Sequence, residues 1–156
     1  MVKREMLLSL SKIDATQTFH LIFFNEGIRD EFKYKKLVPA TTKYIREAVT
    51  FLAKVHPKGS GTNPLPALER AFDVLAKADR SKKGKMIFLL TDGEFYNVTR
   101  DKLLRDIKRM NKKNDVAIFT FLYRFKSDNP SDPDSIESVL RAIAGGKEER
   151  FTHIRD

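Results

Sequence analysis

Two short polar clusters hold the residue types that could do chemistry. Thr91-Asp92-Gly93-Glu94 directly follows the apolar run Lys85–Leu90, and Gly59-Ser60-Gly61-Thr62-Asn63 directly precedes a helical pattern. The Asp92 carboxylate and the Thr62 hydroxyl are hard oxygen donors. Hard divalent cations such as Mg²⁺ take such donors in octahedral geometry, usually with several waters. The flanking glycines let backbone approach a ligand, and a helix start offers free amides. Each cluster also has a plainer reading: Asp92 as a strand-end residue satisfying a turn, and the glycine loop as a simple connection.

Other chemistries find little support. There is no Cys, hence no disulfide, thiolate metal site or catalytic cysteine. The glycine loop lacks the Gly-Lys-Ser/Thr ending of a phosphate-binding P-loop and follows a helical pattern where that motif follows a strand. No serine sits in a Gly-x-Ser-x-Gly elbow. His20, His56 and His153 show no metal-ligand spacing; His20 and His153 read as strand residues and His56 as a loop residue. Asp128–Asp134 lacks the glycine and terminal glutamate of a Ca²⁺ loop and reads as a solvated turn. A hydrolase built on Asp92 and Glu94 has no accompanying nucleophile or base.

These clusters need elements to position them. The chain of 156 residues suits one domain, 1–156, and its 41% hydrophobic content can fill one core. No apolar run reaches the ~18–20 residues that cross a bilayer, and Met1–Lys12 lacks a signal-like apolar block. As written the chain reads as soluble, with a compartment that the sequence does not set and that would be cytoplasmic if the chain is complete. A net charge of +9 attracts nucleic acid, anionic membranes or acidic proteins without choosing among them.

Residues 3–12 have helical spacing in Met6, Leu7, Leu10 and Ile13. Phe19–Phe24 reads as a buried strand and Phe32–Val38, ending at Pro39, as an edge strand. Thr41 or Thr42 can cap a helix reaching Val55. Asn63 can cap the next helix with Pro64 at its first position, and Leu65, Leu68, Phe72 and Leu75 form its apolar face. Lys85–Leu90 is a second buried strand, Thr99–Lys113 a basic helix, and Val116–Tyr123 a third central strand. Asp134 and Glu137 form an acidic capping box opening a helix through Ala144, which Gly145-Gly146 stops. Phe151–Ile154 reads as the last strand. Strands alternating with helices predict an α/β fold, a mostly parallel sheet with helices on both faces. The continuously apolar strands predict burial on both sides.

In this order the motifs resemble those of the von Willebrand factor type A (vWA) family. Gly-Ser-Gly-Thr-Asn, a helix, then Met-Ile-Phe-Leu-Leu-Thr-Asp-Gly-Glu look like the second and third segments of that family's metal-ion-dependent adhesion site. Leu140-Arg-Ala-Ile-Ala-Gly-Gly and Phe151-Thr-His-Ile look like its last helix and strand, and Phe19–Asn25 like its second strand. The resemblance implies a Rossmann-like sheet, with Thr62 and Asp92 as metal residues, Gly61 and Gly93 shaping their loops, and Mg²⁺ or Mn²⁺ as the ion. It also exposes a departure. The family's first strand, central in its sheet, ends in Asp-x-Ser-x-Ser; here Ser9 and Ser11 have the serine spacing, but Leu7 stands at the aspartate position. The expectation is a domain truncated at its N-terminus, lacking the first strand. Another chain filling the slot and direct pairing of the flanking strands are the alternatives.

The functional expectation is non-catalytic protein binding, in which a completed site captures a partner's Asp or Glu and the positive field favours an acidic partner. With Thr62 and Asp92 alone, metal binding should be weak or absent, and exposed strand edges could self-associate. The alternatives are a metal-free degenerate scaffold and a nucleic-acid-binding domain. For the latter, the cations Arg100, Lys102, Arg105, Lys108, Arg109, Lys112 and Lys113 crowd one helix, where a solvated face is the plainer reading.

Overall fold

The computed structural model describes residues 2–56, 61–79, 84–92, 95–123, 132 and 135–154. Along the chain run α1 (Val2–Lys12), β1 (Thr18–Phe19), β2 (Ile22–Phe24), β3 (Ile28–Glu31), β4 (Val38–Pro39), α2 (Thr42–Lys54) and α3 (Leu65–Ala76). Then follow β5 (Lys85–Thr91), α4 (Arg100–Met110), β6 (Val116–Tyr123), α5 (Ile136–Ile143), a 3₁₀ turn at Glu148–Arg150 and β7 (Phe151–Ile154).

The apolar runs at the C-terminal end form a parallel sheet in the order β5-β6-β7. Lys85 lies opposite Val116 and Thr91 opposite Leu122; β7 joins from Thr120–Phe151 to Tyr123–Ile154. Right-handed crossovers stepping one way across a sheet put their helices on one face. Accordingly Ile87, Leu89, Ile118 and Leu122 pack in one core with Leu68 of α3, Leu103 of α4 and Leu140 of α5. Thr120, fully buried there, donates its hydroxyl hydrogen to the Leu140 carbonyl at 3.1 Å, so no orphan polar group results. The α/β class with a parallel sheet is thus realised.

A second core holds the N-terminal half. β1 pairs with β4 and β2 with β3, both antiparallel. Phe32, 1% exposed, lies among Phe19, Tyr34 and Phe51 at ring separations of 5.4–6.0 Å. Leu10 of α1 and Ala48 and Leu52 of α2 close this core.

Four local expectations are corrected. Phe19–Phe24 is two short strands, not one, and both pair antiparallel. His20 and Leu21 separate them: His20 Nε2 is 2.8 Å from Glu31 Oε1, and the Leu21 carbonyl accepts from the Phe32 amide. Phe32–Val38 is not a strand; β3 ends before it, and a turn closed by Lys35 N–H to Phe32 C=O, with Lys35 at φ 53°, leads to β4. Of the parallel strands, β5 is buried on one face only, since Met86 is 41% and Phe88 56% exposed, and the same face of β6 is half-buried. Finally, Ser135 caps α5 by accepting from the Ser138 amide at 3.2 Å, while Glu137 bonds Arg141; Asp134 lies outside the described residues. Asn63, by contrast, caps α3 as expected, its Oδ1 accepting from the Leu65 amide at 3.0 Å, with Pro64 already at helical φ −77° and ψ −14°.

Among the described residues, β5 bonds only β6 and β2 bonds only β3. The strands flanking the expected slot do not pair with each other. Phe24 of β2 nevertheless packs against the core of the parallel sheet.

Candidate functional site

The carboxyl end of β5 delivers Thr91 and Asp92. Thr91 is buried against the sheet, and Asp92, one residue on, is exposed. The switch follows from strand alternation at the point where the ladder ends. Thr62, half-buried, stands in the segment entering α3. Backbone hydrogen bonds bring the two regions together: Tyr96 N–H donates to Thr62 C=O at 2.8 Å, and Asn63 N–H donates to Asn25 C=O at 2.6 Å. The segments after β2, before α3 and after β5 are therefore stitched side by side. Asn25 is itself set by a turn, its amide donating to Gly27 C=O at 3.0 Å.

Gly61 is where a side chain has no room. A Cβ there would lie 2.3 Å from Glu26 Cγ and Oε1, so the glycine admits the Glu26 side chain beside Thr62. Sequence reasoning missed Glu26 as a carboxylate at this place. A signal existed: Asn25-Glu26-Gly27 follows an apolar strand just as Thr91-Asp92-Gly93 does. Gly93 and Glu94, with Gly59 and Ser60, lie outside the described residues.

Thr62 and Asp92 are donors of the right kind for a hard divalent ion, but they fill only part of an octahedron. Among the described residues there is no group of three or more His, Cys, Asp or Glu that could hold a metal. The side chains present fit one portion of such a site.

The other polar clusters lie elsewhere. Arg70 Nε and His20 Nε2 both approach Glu31 Oε1 at 2.8 Å, and Arg70 also donates to the Lys35 carbonyl at 2.7 Å. This cluster ties α3 to the turn after β3. Glu137 meets Arg141 at 2.8 Å and His153 at 3.7 Å, tying the start of α5 to β7. Arg141 also pairs with Glu148 and lies 4.2 Å over the Phe151 ring. These contacts join elements.

The family model described as von Willebrand factor type A domain matches residues 3–156. The chain belongs to that family. This vWA domain is also 29% identical over 137 residues to inter-alpha-trypsin inhibitor heavy chain H2 of Sus scrofa, a match covering 77% of the chain and 14% of that protein. Among solved structures it is similar to a von Willebrand factor type A protein from Catenulispora acidiphila, with TM-score 0.79 and 20% identity, covering 99% of the chain and 34% of the other. It is also similar to proximal thread matrix protein 1 from the mussel byssus, whose adhesion-site motif holds zinc, with TM-score 0.73 and 12% identity over 99% and 38% of the two chains. The vWA domain thus spans a minor part of each of these proteins. Domains of this family generally mediate protein–protein interaction, and a relative's site can hold a divalent metal. Among the described residues no helix is long and apolar enough to cross a membrane.

Proposed function

We propose that this vWA domain is a non-catalytic protein-binding module whose capture face is the carboxyl edge of the parallel sheet. The observation that carries the reading is the backbone bond from Tyr96 to Thr62, which sets the Thr62 segment beside the one that follows Asp92. Thr62 and Asp92 would hold Mg²⁺ or Mn²⁺, Gly61 and Gly93 would shape the loops, and a partner's Asp or Glu would complete the coordination. The ion would supply a fixed positive charge for that carboxylate. Glu26, whose side chain lies against Gly61, would be a further donor, and water or an added Asp-x-Ser-x-Ser strand would complete the set. The net charge of +9 would speed encounter with an acidic partner more than it tightens the complex. A single domain spanning 1–156 is part of the same reading.

The test is calorimetric titration with MnCl₂. The chain by itself binds weakly or not at all, and an extended form to which an Asp-x-Ser-x-Ser strand has been added binds one ion. Thr62→Ala or Asp92→Ala abolishes binding in the extended form. Tight stoichiometric binding by the monomer, or no effect of either substitution, would overturn the reading. Absence of binding by both forms supports instead a metal-free scaffold. The edge of β5 that is unpaired among the described residues, beside the exposed Phe88, further supports self-association through strand edges. A nucleic-acid role draws no support from the family or its relatives.

A further inference from the structure

We infer that the groove between α4 and the end of α5 is a second docking surface, for an acidic peptide segment with an aliphatic anchor. It has a volume of about 810 Å³, within the roughly 300–1,000 Å³ of ligand-sized clefts. Its floor is aliphatic, from the outer edges of Ile107, Ile118 and Ile143, which belong to the core beneath and are 4–8% exposed. Its rim is cationic along one lip, where Arg105, Lys108 and Lys112 stand; Arg150 lines the other side with its guanidinium 5.8 Å over the Phe119 ring, and no Asp or Glu lines the groove.

The cations are available. The only carboxylate in the middle of α4, Asp106, is already taken by Lys102 at 2.7 Å and Arg109 at 3.3 Å. Lys108 and Lys112, both exposed, have no ion-pair partner among the described residues. Spacing explains the arrangement. Leu104 and Lys108 lie one turn apart on α4, so they share a helical face beside the groove, and Lys112 follows in the turn just beyond the helix. A charge run that reads from sequence as a solvated face thus borders an apolar floor.

The site is distinct from the carboxyl-edge face. Val116, which starts β6, lines the groove, whereas Asp92 follows the opposite end of the neighbouring strand. Strand rise alone puts the two roughly 20 Å apart. Nucleic acid is the weaker fit. Stacking platforms for bases are aromatic, and the residues lining this groove are aliphatic or polar. Carboxylates meeting the rim while a leucine-like side chain meets the floor is the complement that both features select.

The test uses a fluorescein-labelled hexapeptide, Glu-Asp-Leu-Leu-Glu-Asp, followed by anisotropy at about 50 mM salt, where screening is modest. Saturable binding is expected, with a control peptide carrying Ser for Leu roughly 10-fold weaker. The exposed double substitution Lys108→Glu and Lys112→Glu should weaken the leucine peptide at least ~10-fold. Ala142→Trp, which fills the groove from α5, should do likewise at an unchanged unfolding midpoint. EDTA should have no effect. Equal binding of the serine peptide, or equally tight binding of a single-stranded hexanucleotide, would show a general cationic field and overturn the proposal. So would indifference to the double substitution, or absence of binding. Loss of binding with EDTA would assign the peptide to the Thr62–Asp92 face instead, whereas failure of that face to bind metal leaves the groove result unchanged.

Discussion

Thr41 and Thr99 occupy the same formal position, yet only one works as a cap. Thr99 accepts a hydrogen bond from the Lys102 amide at 3.3 Å, whereas Thr41 makes no side-chain cap bond. Thr99→Ala should therefore cost about 1 kcal/mol and Thr41→Ala clearly less, measured by urea unfolding; equal costs would contradict the geometry. His20 gives a second residue-level prediction. Burial pushes its imidazole below the ordinary value of 6.5, outweighing the upward pull of the Glu31 hydrogen bond and charge, while Arg70 acts with burial. The unfolded chain then takes up this proton at higher pH than the folded one. The contribution of His20 is complete above about pH 6.5 and is lost as pH falls through the lower folded value. Burial raises Glu31, but hydrogen bonds from His20 and Arg70 prevail and hold it below its ordinary value of 4.5, which adds a second acid-side loss. The unfolding midpoint should fall on acidification from neutral pH, with a shallower slope in His20→Gln. An NMR titration placing His20 above its ordinary value would refute the first part.

Elements in this domain are decided by what lies beside them. β5 is bonded along one edge by β6 and, among the described residues, by nothing along the other. A parallel strand directs alternate amides to opposite edges. In a monomeric sample, alternate amides from Lys85 to Thr91 should exchange rapidly while the intervening ones are protected. Uniform protection would mean that another strand occupies the edge. The apolar pattern of Lys85–Leu90 made a strand legible, because a run this short and this apolar fits a sheet interior. It did not reveal that Met86 and Phe88 would stay exposed. Periodicity reports what a strand can bury, and coverage depends on which helices cross which face.

Across the molecule, two features oppose each other. The net charge of +9 keeps copies apart, while the exposed Phe88 ring, stacked on Phe119 across the sheet face at 5.3 Å, belongs to a strand whose outer edge is unpaired among the described residues and invites association. Sedimentation should show self-association that grows with salt as the repulsion is screened. Phe88→Lys should suppress it with little effect on the unfolding midpoint, since the ring is more than half exposed. Association unchanged by this substitution would place the contact elsewhere.

The sequence alone determined the α/β class, the family, and the positions of α2, α3, α4, β5, β6 and β7, because each rests on local pattern: helical spacing in Leu65, Leu68, Phe72 and Leu75, and unbroken apolar runs in the strands. It also picked out Thr62 and Asp92 as the oxygen donors to watch. Only the tertiary structure decided the rest. It divided Phe19–Phe24, because the His20–Glu31–Arg70 cluster and the Phe32 amide claim the middle of that run. It placed Glu26 against Gly61 and joined Tyr96 to Thr62, contacts between segments far apart in sequence. It turned a basic helix face into one lip of a groove. Local propensity fixes which elements form, but contacts between distant segments depend on how those elements pack, and a local pattern carries no record of its neighbours.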